Sequence, residues 1–177
     1  MQIKAKKVGA TLLSALITVF IYILLHELGH MIVMLSAGAT ITDFSIFTAH
    51  VRGVGGNYTN LSNLWLHANG ALLPVIVALI YALFYKKDAE GIFYHLFSYM
   101  FLLVPIASLF AWVIIPFLYI QERAPLGDDV TNFLYNFSPN YHPLIVSAAA
   151  VLIIVAGVTA IIKRGIFRNF ILAMRNQ

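Results

Sequence analysis

Residues 21–33 read IYILLHELGHMIV and place three ionisable side chains, His26, Glu27 and His30, in an otherwise apolar stretch. On an α-helix His26 and His30 are four positions apart, so both imidazoles project from one face, one turn above the other. This spacing suits two ligands of a tetrahedral zinc ion. Glu27 is displaced by about 100° around the helix, where it can accept a proton beside the metal without being a ligand. Gly29 has no side chain and permits another helix or a substrate backbone to approach closely.

These ionisable groups have a purely structural alternative, because His or Glu in a membrane helix is sometimes only a hydrogen-bonded packing residue. Three such groups within five residues are costly to insert into a membrane, about several kcal/mol together when unpaired. A dication bound by both imidazoles and neutralising Glu27 removes most of that cost, so the segment predicts a metal site. A haem with two His ligands fits poorly, because its ligands must approach opposite faces of the porphyrin and these two lie on one face of one helix.

The composition indicates a membrane protein. Of the 177 residues 61% are hydrophobic and 10% are charged, whereas soluble domains carry about 25% charged residues. Four apolar runs, at 8–42, 61–85, 91–120 and 143–162, reach the roughly 20 residues that a bilayer requires. The first run is too long for a signal-peptide core, so we expect it to remain in the mature protein. The fold class predicted is therefore an all-α polytopic membrane protein with about four transmembrane helices.

Two segments interrupt this helical pattern. The third run contains Pro105 and Pro116, so we expect it to be tilted, kinked or broken near its end. Between the first two runs, residues 39–60 are rich in Thr, Phe, Val and Gly and include a Gly-Gly pair at 55–56. Alternation over residues 42–48 predicts a short strand that turns back through residues 51–56, as a hairpin or re-entrant loop.

The distribution of basic residues predicts the orientation of the chain. In a four-span arrangement nine Lys and Arg residues fall on one side, and only Arg52 and Arg123 fall on the other. Both termini are therefore expected in the cytoplasm. The basic tail, residues 163–177, is expected there too, either as a short amphipathic helix on the membrane surface or as a solvated segment that fixes topology.

A catalytic zinc site needs a third protein ligand. The chain has no Cys, so this ligand must be His or a carboxylate. Asp128 and Asp129 follow the third run and are the candidates, although either is equally explained as the N-cap of a short helix. His67 and Asn69, near the start of the second run, have two explanations. They can orient a zinc ligand or donate to an oxyanion, or they can be interfacial residues bonded to nearby backbone.

Several of these features together resemble the site-2 protease family of intramembrane zinc metalloproteases, in particular its compact bacterial branch. They are the His-Glu-Leu-Gly-His segment in a membrane helix, the Gly-Gly loop, the Asn69-Gly70-Ala71 segment in the second run and an Asp after the third run. The resemblance covers about residues 15–135, and the His-Glu-Leu-Gly-His segment is its one highly specific element. It implies a three-helix catalytic core, zinc bound by two His and one Asp, and hydrolysis of membrane-embedded or membrane-associated peptides.

Carried over by position, the resemblance assigns His26 and His30 as zinc ligands and Glu27 as the general base. The Leu-Asp-Gly segment usual in the family is absent. Compact members instead show an Asp followed three to four positions later by Leu or Phe, which matches Asp129 and Phe133 and makes Asp129 the expected third ligand. The expected organisation is one metalloprotease domain over residues 1–177, with a core at about 8–135 and a fourth span at about 141–162, in a bacterial cell membrane.

Two other functional classes are compatible with the same residues. One is a membrane binding or regulatory protein that keeps the fold without hydrolysing peptides, although such a protein has no need of Glu27. The other is a zinc hydrolase that acts on a non-peptide membrane substrate. Nucleic acid is not expected as a partner, because the basic residues lie in short clusters between apolar runs.

Overall fold

The computed structural model describes residues 2–175, with side chains from residue 5 onward. The side chain of Lys4, one of the nine basic residues used for orientation, lies outside the described part, as do residues 176 and 177 of the tail. The described chain is mostly helical. Its elements are, in order, α1 (Gln2–Ser36), β1 (Ala39–Ser45), β2 (His50–Gly55), α2 (Asn60–Phe84), α3 (Ile92–Ser108), α4 (Phe110–Ile120), α5 (Asp129–Asn136), α6 (Leu144–Lys163) and α7 (Ile166–Arg175).

Four segments of the described chain are helical, long and apolar enough to cross a membrane, as predicted. They are Ala5–Ser36, Asn60–Phe84, Ile92–Ile120 and Leu144–Lys163. Large apolar side chains on their outer faces are exposed in the isolated chain, including Leu12, Leu16 and Leu152. Lipid can cover such faces, whereas a protein surrounded by water rarely exposes so many large apolar side chains.

The segment after α1 differs in detail from the prediction. The first run was expected to continue to residue 42, but α1 ends at Ser36 and Gly38 adopts the left-handed conformation, with φ of 82°. The β-branched residues that follow form β1, so the first strand begins and ends three residues earlier than predicted. β1 pairs antiparallel with β2, with an irregularity between Ile41 and Asp43. A turn containing Ala49, with φ of 46°, joins the two strands.

The third run is broken, but at its middle rather than near its end. Pro105 has no N–H to continue the helical hydrogen bonding. The Ser108 hydroxyl donates to the Pro105 carbonyl at 2.8 Å, and the Leu109 N–H donates to the Ile106 carbonyl at 3.3 Å, in a tighter turn than an α-helix. This turn separates α3 from α4.

The main apolar core lies between α2, α3, α6 and α7. Its buried members include Ala78, Ala82, Leu102, Ile106 and Ile161. Alanines on α2 let the helices approach closely, as is usual in membrane bundles.

Three basic segments meet at one end of the bundle, which we call the basic end. They are the start of α1 with Lys6 and Lys7, the loop after α2 with Lys86 and Lys87, and residues 163–175. The Lys7 ammonium donates to the Met174 carbonyl at 3.0 Å, and the Asn169 amide donates to the Lys87 carbonyl at 2.7 Å. The tail forms α7 and packs on α3, where the Phe170 and Tyr99 rings stack with their centroids 4.1 Å apart. Residues 166–175 are therefore a packed helix rather than a solvated tail.

Helices α1 and α2 make backbone-to-backbone contact at Gly29. A methyl group added at Gly29 would overlap the Asn69 carbonyl of α2. In the same contact the Asn69 side-chain amide donates to the Gly29 carbonyl at 2.8 Å. The close approach expected at Gly29 is thus made by another helix.

Replacing Gly29 with alanine is expected to destabilise the protein by about 1–3 kcal/mol, because the new methyl meets backbone that cannot move aside. Thermal unfolding of the purified protein in detergent measures the change. Gly9→Ala is the matched control, since nothing lies within 4 Å of a methyl added there. Equal melting temperatures for the two variants would contradict the packing described.

Candidate metal centre

The two histidines of α1 lie side by side as their spacing predicts. Their Nε2 atoms are 3.1 Å apart, and their ring centroids are 4.8 Å apart. Both belong to the helical turns that approach the end of α1 at Ser36, so they lie away from the basic end. The His26 side chain is 26% exposed and the His30 side chain 10%. The two imidazoles are therefore largely buried but retain a partly exposed surface.

Asp129 completes this pair from a different part of the chain. It is the first residue of α5, and its Oδ2 atom lies 3.2 Å from the Nε2 atom of His26 and 3.2 Å from that of His30. Asp128 instead caps α5, where its carboxylate accepts from the Val130 N–H at 2.8 Å. The sequence left two explanations open for each carboxylate, a metal ligand or a helix cap. Asp128 is the helix cap, and Asp129 lies where a third metal ligand would lie.

The donor set has a shape that fits zinc. The three atoms form a nearly equilateral triangle with edges of 3.1–3.2 Å. A tetrahedral ion with bonds of about 2.0–2.1 Å has ligand separations of about 3.3–3.4 Å, so a small expansion accommodates zinc. Two imidazoles and one carboxylate are a donor set of the kind found in catalytic zinc sites, which have three protein ligands.

Contacts from α2 hold two of these ligands in place. His30 Nδ1 lies 2.7 Å from the Leu66 carbonyl. A proton on Nδ1 satisfies that carbonyl and leaves the lone pair of Nε2 for a metal. His67 Nδ1 forms a longer contact, 3.5 Å, with Asp129 Oδ1, the carboxylate oxygen outside the triangle. His67 therefore contacts the candidate ligand Asp129, whereas Asn69 bonds to the Gly29 backbone of α1.

A second glycine makes room for the imidazoles. A methyl added at Gly70 on α2 would overlap the His30 ring and press on that of His26. Tyr22, one turn before His26, lies with its ring centroid 6.0 Å from that of His26. Its spacing of four from His26 on one helix accounts for this contact.

The electrostatics at Asp129 favour the ionised carboxylate. Burial raises the pKa of Asp129, but its contacts with His26, His30 and His67 together have the larger, opposite effect. The pKa of Asp129 therefore lies well below its usual range. The ionised form is the one that binds a metal. Glu27, the other carboxylate at this level, is 4% exposed and lies in the apolar part of α1.

The remaining histidines lie apart from the triangle. His50 pairs with Asp43 on the two strands, with 2.8 Å between Nε2 and Oδ2. His95 contacts Tyr85 and Ala89 at the basic end, and His142 precedes α6. In the part of the chain that the structure describes, only His26, His30 and Asp129 group three potential ligands in this way.

No protein-family model, no curated protein and no solved structure matches this chain.

His67→Ala is expected to weaken zinc binding about 10–100-fold, because Asp129 loses its supporting hydrogen bond. Competition with a chromophoric chelator measures the affinity, and the visible spectrum of the cobalt form reports the ligand geometry. His67→Gln, whose amide can still donate, should restore part of the affinity. His142→Ala, remote from the site, should stay within about twofold of the wild type. Unchanged affinity in His67→Ala would show that its contact with Asp129 does not support the site.

Proposed function

We propose that this chain is an intramembrane zinc metalloprotease in which His26, His30 and Asp129 hold the metal. The observation that carries the proposal is the triangle of donor atoms, 3.1–3.2 Å on each edge. Two of its three donors come from a helix long enough to span a membrane, and the third comes from α5. A zinc ion held by these three residues would supply a Lewis acid that activates water and polarises the scissile carbonyl.

Glu27 is the general base in this proposal. It follows His26 directly, so its carboxylate projects beside the triangle rather than into it. Its carboxylate accepts a proton from the attacking water and then delivers that proton to the leaving amine. Enclosure of the carboxylate among apolar side chains excludes bulk water that would otherwise compete for the proton.

The proposed substrates are membrane-embedded or membrane-associated peptides. Both histidines belong to the Ala5–Ser36 span, so the site lies within membrane depth if that helix crosses the bilayer. A helical substrate hides its carbonyls in hydrogen bonds and must unwind before cleavage. The partial exposure of His26 and Asp129, 26% and 27%, leaves a way for an extended peptide to reach them.

We also propose that both termini lie in the cytoplasm of a bacterial cell and that the site opens to the opposite side. The basic end supports this, because Lys and Arg are retained preferentially on the cytoplasmic side. The strands carry exposed charged residues, Asp43 and Arg52. They therefore suit a surface hairpin in water better than a re-entrant loop in lipid.

Glu27→Gln is expected to retain zinc and to lose peptide cleavage, because glutamine preserves the shape but cannot accept a proton. Zinc content of the purified proteins and comparison of membrane peptides in cells expressing each form measure the two properties. A general base contributes about 10²–10⁴-fold, so cleavage should fall by at least about 100-fold. Glu122→Gln, in the loop after α4, is the matched control and should leave both properties unchanged.

Three results would redirect the assignment. Absence of zinc from the wild type contradicts the metal site. Zinc with identical peptides in wild-type and Glu27→Gln cells contradicts proteolysis and favours a binding or regulatory protein. A Glu27-dependent change confined to lipids or other non-peptide amides favours a different zinc hydrolase.

The orientation is testable because the chain has no natural cysteine. Single cysteines at Thr48 and Ser138 should react with an impermeant maleimide in intact cells, whereas one at Asp88 should react only after permeabilisation. The reverse pattern would contradict the proposed orientation. A cysteine at Thr48 that stays unreactive in both conditions would favour a re-entrant loop over a hairpin.

A further inference from the structure

A cavity of about 510 Å³ lies at the basic end, remote from the candidate metal centre. At a rise of about 1.5 Å per residue, Lys7 and His26 are about 28 Å apart along α1. Residues from the start of α1, the loop between α2 and α3, the first turn of α3, and α7 line the cavity. They are Lys6, Lys7, Lys87, Gly91, Ile92, His95, Asn169, Leu172 and Ala173.

The cavity is cationic and has no acidic lining. Three lysines contribute to its wall, and no Asp or Glu does. Asp88 and Glu90 lie in the adjoining loop but are exposed outside the cavity. Within the described part of the chain, no carboxylate lies within ion-pair distance of Lys6, Lys7 or Lys87. Concentrated positive charge of this kind attracts an anion.

A hydrogen-bond network lies behind one wall of this cavity, and two of its members, Asn169 and His95, line that wall. The Asn169 amide donates to the Tyr85 hydroxyl at 2.9 Å, and that hydroxyl donates to His95 Nδ1 at 2.8 Å. His95 Nε2 in turn donates to the Ala89 carbonyl at 2.9 Å. The network gives each of these side chains a hydrogen-bond partner. The cavity therefore has a defined wall. Lys7 donates to the Met174 carbonyl, whereas within the described part of the chain the ammonium groups of Lys6 and Lys87 have no hydrogen-bond partner.

The surroundings indicate a lipid. The cavity lies where α1 and α3 begin and α2 ends, which is headgroup depth if these helices cross the bilayer. Ile92 and Leu172 add apolar lining. Directly after the lysines of α1, Val8 and Leu12 are 59% and 65% exposed, so acyl chains have an apolar surface to follow.

We propose that the basic-end cavity binds the phosphate headgroup of an anionic phospholipid. Lys6 and Lys87 contact the phosphate, Lys7 braces α7 against α1 through the Met174 carbonyl, and the acyl chains lie along the outer face of α1. Basic pockets between membrane helices are suited to this ligand class.

The test compares two double variants with the same change in charge. The double variant Lys6→Gln/Lys87→Gln removes two charges from the cavity wall. The control Lys86→Gln/Lys163→Gln removes two charges from the same end of the bundle, at residues that do not line the cavity. Native mass spectrometry of the full-length protein in detergent measures binding of phosphatidylglycerol and of phosphatidylcholine with the same chains. Inorganic phosphate at millimolar concentration is the competitor that distinguishes a lipid from free phosphate.

The cavity variant is expected to bind phosphatidylglycerol about thirtyfold more weakly, roughly fivefold for each lysine, with the control variant within twofold of the wild type. Equal losses in the two variants, equal binding of phosphatidylcholine by the wild type, or displacement of the lipid by phosphate would each overturn the proposal. Thermal unfolding in lipid-free detergent checks folding. If the double variant does not fold, Lys87→Gln alone is expected to lose about fivefold, and no loss overturns the proposal.

Discussion

The close contact between α1 and α2 is the constraint on which the candidate site depends. It requires glycine on each helix: Gly29 admits the Asn69 carbonyl, and Gly70 leaves room for both imidazoles. Because the helices meet this closely, the Leu66 carbonyl reaches His30 at 2.7 Å. One packing contact thus fixes the distance between the helices and the orientation of a potential metal ligand.

The same contact connects α1 to the carboxylate contributed by α5. Helix α5 packs on α2 as well as on α4. His67 of α2 lies 3.5 Å from Asp129 Oδ1, the oxygen that is not part of the triangle with His26 and His30. Two elements, α1 and α5, therefore supply the three donor atoms, and α2 packs against both of them. The donor types also agree, because imidazole nitrogens and a carboxylate oxygen are ligands that a zinc ion accepts.

Local patterns were enough to predict part of this arrangement. The spacing of His26 and His30 predicts their contact, since the helical repeat alone brings them together. The four long apolar runs likewise predict the candidate spans. Local chemistry left Asp128 and Asp129 as equal candidates, because both can cap a helix, and only the resemblance through the spacing of Asp129 and Phe133 favoured Asp129. The packing of α5 makes the difference between them. The Leu66 carbonyl carries no side-chain signal, and the break at Leu109 depends on how Ser108 and Pro105 bond locally.

The central claim is that His26, His30 and Asp129 form one metal site, and the neighbouring aspartates test it most directly. Zinc content of the purified wild type, Asp129→Asn and Asp128→Asn is the decisive measurement, because both variants remove one charge and asparagine keeps the helix cap. About one zinc per chain is expected in the wild type and in Asp128→Asn, with loss from Asp129→Asn. Equal zinc in all three proteins, or none in the wild type, would contradict the account.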